Sequence, residues 1–257
     1  MNELDLIIVV VFLIITTYVV MQAISSVEKQ VKIEVDNKDI EQQLDAKQFN
    51  GIKLKDIVKI SFKLDSRYKY SVDKVEDDKT PRSLALSIEN ISNKTDREIY
   101  VYVYWDKSTL TDHGNESRRV IHLDANRQIR DMVPPKKQEA SPVSPGMKFS
   151  GNLTAEELLK LDEAKTILEP TAPILNLNSI KKGSENKKAP KAARESLKKK
   201  LAAFEDRDES LKFSLLLMLR LLDLNEDEAI ERLYPIQCKF TMTSMPWHDQ
   251  LPWNPKK

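Results

Sequence analysis

Cysteine occurs once, at Cys238, so no disulfide can form within the chain and the stapled class of small secreted domain is excluded. Glycine is nearly as scarce. Five in 257 residues leave neither a phosphate-cradling loop nor a dinucleotide fingerprint, both of which need several closely spaced glycines. Charge of one sign is missing too: 41 Lys and Arg stand against 40 Asp and Glu, which argues against a nucleic-acid partner held by global charge. Of the three histidines, His113, His122 and His248, none lies one helical turn from another, the spacing a zinc-binding helix uses. No cofactor and no metal are expected.

What is present begins with a long apolar run. Residues 6–21 carry no charge, and the stretch 4–24 reaches the roughly 20 residues that cross a bilayer core. Apolar side chains surround this helix on every side, as lipid contact requires. A cleavable signal peptide is the rival reading, supported by Ala23-Ile24-Ser25. Against it, the leading residues include Glu3 and Asp5 and no base. The sequence therefore predicts a retained transmembrane anchor over 1–27. Lys29, Lys32 and Lys38 follow it, and the positive-inside rule puts that side, with the bulk of the chain, in the cytoplasm.

After the anchor the hydrophobic period becomes two. Val31, Ile33 and Val35 alternate with polar residues, as do Val58, Ile60, Phe62 and Leu64, and then Leu84, Leu86 and Ile88. Residues 98–105, EIYVYVYW, give the clearest strand. Weaker strands are expected over 120–123 and 147–149, and a last one carries Ile236, Cys238, Phe240 and Met242. Cys238 reads as a small core residue in that register. Short strands punctuated by turns predict a mainly-β domain, an antiparallel immunoglobulin-like β-sandwich over 28–152.

A helical insertion is expected over 153–233, before the last strand. Thr154 and Glu157 form a capping box for a helix to about Leu168. A flexible basic linker over 170–190 follows, broken by Pro170, Pro173, Gly183 and Pro190. Helix formers then run over 191–222, ending in LKFSLLLMLRLL, read as a buried helix, and a short helix precedes Pro235. Residues 234–257 hold the last strand and a tail rich in Pro and Trp, with Trp247 and Trp253 in repeated Pro-Trp pairs.

The segments ESRRVIHLDAN (116–126) and SPVSPG (141–146), with the uncleaved leading helix, resemble a group of uncharacterised single-pass membrane-anchored proteins of cyanobacterial type with an immunoglobulin-like β-domain. The resemblance covers residues 1–165. It implies a bacterial inner or thylakoid membrane location and brings no activity or site residues with it.

Candidate interaction residues fall in three places. Tyr100, Tyr102 and Tyr104 form a stripe opposite Ile99, Val101, Val103 and Trp105; it serves either as a recognition patch or as the floor on which Leu215, Met218 and Leu222 of the inserted helix rest. Nine Lys or Arg against two Glu crowd residues 181–200, including Lys187, Lys188, Lys191, Arg194, Lys198, Lys199 and Lys200, a patch suited to anionic lipid or simply to water. Trp247 and Trp253 complete the set. Asp106, Asp112, His113 and His122 are close enough in sequence to meet at a metal, although a polar loop and an outward-facing His122 are the favoured reading.

Three functions follow from this reading. The first is a non-enzymatic membrane-anchored scaffold or accessory protein of a membrane complex, acting through protein-protein contacts with other membrane proteins. The second is a carbohydrate- or peptide-binding module using the Tyr stripe. The third is a metal-dependent hydrolase built on Asp112, His113 and His122.

Overall fold

The strands foreseen from alternation join others in one curled antiparallel sheet. The computed structural model describes residues 3–27, 29–92, 98–123, 137–162, 167–223 and 230–245. Helix α1 (Glu3–Val27) leads into β1 (Gln30–Val35), α2 (Asn37–Ala46), the small hairpin β2 (Gln48–Phe49) and β3 (Ile52–Lys53), then β4 (Val58–Lys63) and β5 (Tyr68–Lys69). Strands β6 (Leu84–Asn90), β7 (Ile99–Val103), β8 (Thr109–Thr111), β9 (Ser117–Leu123), β10 (Ser141–Val143) and β11 (Lys148–Ala155) follow. The hairpin β12 (Leu159–Asp162) and β13 (Ile167–Pro170) precedes α3 (Leu177–Glu185) and α4 (Lys191–Glu205), and β14 (Leu211–Asp223) and β15 (Ile230–Met245) complete the order.

Hydrogen bonding runs without a break through β4-β6-β11-β9-β8-β14-β15-β1-β5, with β7 beside β14 and β10 beside β7, eleven strands among the described residues. The two separate sheets of the expected immunoglobulin-like sandwich are thus one sheet. Its curl starts at β14, which is 13 residues long and bonds two short strands end to end. Ser214–Leu216 pair with β8, and Leu219–Asp223 pair with β7. Between them the chain makes a 3-10 turn, Trp105–Lys107, and leaves β14. Ser108 fills the gap: its hydroxyl accepts from the Met218 N–H at 3.1 Å and donates to the Tyr104 carbonyl at 2.8 Å. Buried backbone groups need such partners.

The inward faces close over a shared core. Phe62 of β4 meets Phe240 of β15 edge-on at 4.9 Å, and Phe213 of β14 stacks on Phe240 at 4.6 Å. The turn drives Trp105 into this core, where it stacks on His122 at 5.0 Å and donates its Nε1–H to Ser141 Oγ at 2.9 Å. Phe149 completes the ring cluster, 5.1 Å from His122. His122 is therefore buried, not outward-facing: Val120, Ile121 and His122 of β9 are all covered, so neither face of the strand is open to water there. A Cβ added to Gly151 would lie 2.4 Å from His122 Nε2 and 2.8 Å from Phe149 Cζ. Gly151→Ala is expected to lower the urea midpoint by the equivalent of about 1–3 kcal/mol with an unchanged m-value; a wild-type midpoint would show that the rings have room.

Helix α2 covers an edge of the sheet. Beyond β1's reach, the outer side of β15 has no strand partner among the described residues and takes its bonds from α2 and its flanks. Gln43 accepts from the Gln237 N–H at 2.9 Å and donates to the Gln237 carbonyl at 2.8 Å, as a strand residue would. The Asp36 N–H donates to the Lys239 carbonyl, and Lys47 donates to the Pro235 carbonyl. Pro235 faces the same way, so its missing N–H removes no ladder bond. That is why a proline sits inside a 16-residue strand where the sequence suggests a helix stop.

Other helical expectations give way for local reasons. Thr154 does not cap a helix; its hydroxyl donates to the Arg82 carbonyl at 2.9 Å within β11, and Glu157 pairs with Arg118. The stretch read as a flexible linker contains α3, capped by Asn176 and held by buried Leu177 and Ile180. The helix expected over 191–222 ends as α4 at Glu205, and LKFSLLLMLRLL is most of β14. The short helix expected before Pro235 gives way to β15 from Ile230 onward.

Helix α1 matches the apolar run in position. Its side chains are described over 7–20, short of the roughly 20 residues that a crossing takes, and among the described residues no helix is long and apolar enough to cross a membrane.

Candidate functional site

Alternation along β7 sends Ile99, Val101 and Val103 into the core and Tyr100 and Tyr102 to the outer face, with Tyr104 just beyond, all three half-buried. The residues foreseen as their cover do not lie over them. Leu215 points inward, while Met218 and Leu222 lie beside the rings in the same sheet. Leu222 pairs with Tyr100 and Arg220 with Tyr102; on the other side of β14, Leu233 pairs with Arg220 and Pro235 with Met218.

Arg220 is the centre of this face, and sequence reasoning missed it. Its guanidinium lies 5.0 Å over the Tyr102 ring and 5.7 Å over the Tyr104 ring, donates to the Tyr104 hydroxyl at 2.7 Å and pairs with Glu231 at 3.1 Å. The Tyr104 hydrogen bond holds the guanidinium's pKa above its ordinary value. Lys107 adds a second cation 5.7 Å from Tyr104. An Arg locked between aromatic rings is pre-organised, and Tyr, Arg and Met are the residue types that interface cores favour. A signal was available in the sequence: the two basic residues of β14, Lys212 and Arg220, fall on even positions, the phase that faces outward.

The basic residues form a separate cluster on the α3–α4 hairpin. Lys187, Lys188, Lys191, Lys198 and Lys199 are exposed; Arg194 and Lys200 are half-buried, and Lys200 donates to the His113 carbonyl at 2.7 Å. Trp247 and Trp253 lie outside the described residues.

The acid and histidine group is engaged in structure. Asp112 accepts from the N–H groups of Gly114 and Glu116 and pairs with Arg118, which holds the β8–β9 turn together. Burial pushes the Asp106 carboxyl up, but Arg119 and Gln138 outweigh it and hold it below the usual range. Burial lowers the pKa of His113, favouring its neutral form. No three His, Cys, Asp or Glu among the described residues gather as metal ligands. Cys238 is fully buried and its thiol is pushed up to about 12, so it packs as a small apolar residue. No protein-family model, curated protein or solved structure matches this chain.

Proposed function

We propose that the chain is a non-enzymatic scaffold or accessory protein of a membrane complex, anchored by α1 and engaging a neighbouring membrane protein through the Tyr–Arg220 face. The observation that carries this reading is the arginine stacked on two tyrosines among outward-facing Met218, Leu222 and Leu233, the last 40 % exposed. Aromatic and Arg anchors dominate binding energy where they are held rigid.

The anchor reading rests on composition and on packing. Residues 6–21 are uncharged, and α1 leaves large apolar side chains such as Phe12, 66 % exposed, and Val19, 58 % exposed, off the protein core. Such an apolar surface is stable against lipid and costly in water. The Lys residues after α1 favour a cytoplasmic body, and the resemblance of residues 116–126 and 141–146 would imply a bacterial inner or thylakoid membrane.

Alkaline extraction followed by crosslinked pull-down from gently solubilised membranes tests the proposal. The chain is expected to stay in the pellet and to bring down a reproducible membrane partner. Release by alkali removes the anchor, and a chain that migrates alone removes the scaffold role.

A second reading, a peptide- or carbohydrate-binding module, draws on the same rings, because Tyr102 already stacks a planar group at 5.0 Å. It replaces the first if purified protein binds a glycan or an extended peptide through Tyr100, Tyr102 and Tyr104 while no protein partner is recovered.

A further inference from the structure

The root of the basic hairpin meets the chain where α1 ends. Asp73 lies 3.8 Å from Lys29 Nζ and also pairs with Lys181 of α3. Asn178, on the same helix, donates to the carbonyls of Val72 and Asp73 at 2.7 and 2.8 Å. The Tyr70 N–H donates to the Lys29 carbonyl at 2.8 Å, and the Tyr70 ring packs edge-on against Phe204, in the last turn of α4, at 5.8 Å. Both ends of the hairpin are thus fastened around Lys29. Lys29 is two positions beyond Val27, where α1 ends, at most about 8 Å of chain.

We infer that the α3–α4 hairpin is a lipid-contacting element whose exposed lysines bind the anionic head groups around the anchor. This rests on the proposal that α1 crosses the bilayer, which sets Lys29 at the head-group layer. From that point α3 and the following turn bring Lys182, Lys187 and Lys188 within about 15 Å, given a rise of about 1.5 Å per helical residue. That is about two screening lengths at physiological salt, so the lysines engage the head groups with the hairpin lying along the surface.

Charge is segregated along the hairpin. The acids Glu205, Asp206, Asp208 and Glu209 are exposed at and just beyond the C-terminal end of α4, on the root side, while the turn and the body of α4 carry Lys187, Lys188, Lys191, Lys198 and Lys199. Within the basic part only Glu185 and Glu195 oppose them, and Glu195 pairs with Lys191 at 3.7 Å with both side chains largely in water. The apolar side of α4 faces the protein, with Leu197 packed over Gly183 and Phe204 buried. The basic side is left to meet lipid, and each cation at an anionic surface strengthens attachment about fivefold.

The test reconstitutes the full chain in vesicles of phosphatidylcholine alone, or of phosphatidylcholine and phosphatidylglycerol in equal parts. An environment-sensitive dye on Ala192→Cys reports the hairpin, because Ala192 is exposed and the native Cys238 is buried. Quenching by head-group-labelled lipid is expected to show an about tenfold shift of the hairpin toward the bound form in the mixed vesicles. The shift should vanish when Lys187, Lys188, Lys191, Lys198 and Lys199 are replaced by Gln. Alkali-resistant retention is read in the same samples. Loss of retention overturns anchor and lipid contact together. Retention with equal quenching in both vesicles overturns the lipid contact alone, as does a stronger dye response to added homopolymeric RNA than to the anionic vesicles.

Discussion

Trp105→Ala is expected to remove about 3–5 kcal/mol of stability, a large part of the 5–15 kcal/mol that holds a domain of this size together. Trp105 is the largest fully buried side chain. It is also the residue around which the sheet changes direction, because the 3-10 turn that separates β7 from β8 begins with it. Truncation would strip His122 of its stacking partner, leave Phe149 facing a void and orphan the Ser141 hydroxyl. A urea titration of the detergent-solubilised chain, followed by circular dichroism, measures the loss. Trp105→Phe keeps a ring and gives up only the N–H bond, so its loss should be clearly smaller. A midpoint shift equivalent to less than about 1 kcal/mol for the alanine variant would mean that the turn is held by something else.

The second large effect separates two neighbours on β14. Leu219 is fully buried, and Leu219→Asp would place a carboxylate in the core without a partner, at a cost of several kcal/mol. That variant should fail to fold. Met218 points to the outer face, so Met218→Asp should leave the circular dichroism spectrum and the melting temperature nearly unchanged. It would set a charge into the apolar part of the Tyr–Arg220 face, and capture of the partner should weaken about 30-fold or more, the scale of a lost hot spot. A Met218→Asp protein that folds and retains its partner in full would move the docking surface elsewhere.

These neighbours also show where sequence reasoning ran out. Strands β1, β4, β6, β7 and β15 were legible because apolar inward residues alternate with mostly polar or aromatic outward ones, whereas only 120–123 of β9 and 147–149 of β11 were foreseen as strand. In β14 the inward phase runs Leu211, Phe213, Leu215, Leu217, Leu219 and Leu221, but Leu216, Met218 and Leu222 make the outward phase apolar too. Alternation was hidden, and leucine's preference for helices tipped the reading the wrong way. The apolar outer phase that obscured the strand is the same feature that makes its face a candidate interface. The tyrosines of that face were visible from one strand alone. Arg220, 116 residues beyond Tyr104, entered only through strand pairing.

Helix α3 was missed, and α4 was foreseen from Lys191 but carried too far, for a different reason. Their text is mostly Lys, Asn and Ala, and what fixes them is a few buried groups, namely Leu177, Asn178, Ile180 and Phe204. The capping-box pattern at Thr154 was real as a pattern. It lost to a tertiary bond, because the Arg82 carbonyl offers the hydroxyl an acceptor in a buried site.

Strand β1 begins three residues after α1, and its long partner is β15, register Gln30 to Met245. During synthesis, the segment that follows α1 must wait for residues 230–245 before its ladder can form. Separation of this kind slows folding and lengthens the time that incomplete strands stand open. A nascent chain would pass that interval with α1 and α2 already made, so that α2 is in place before the edge it shields exists.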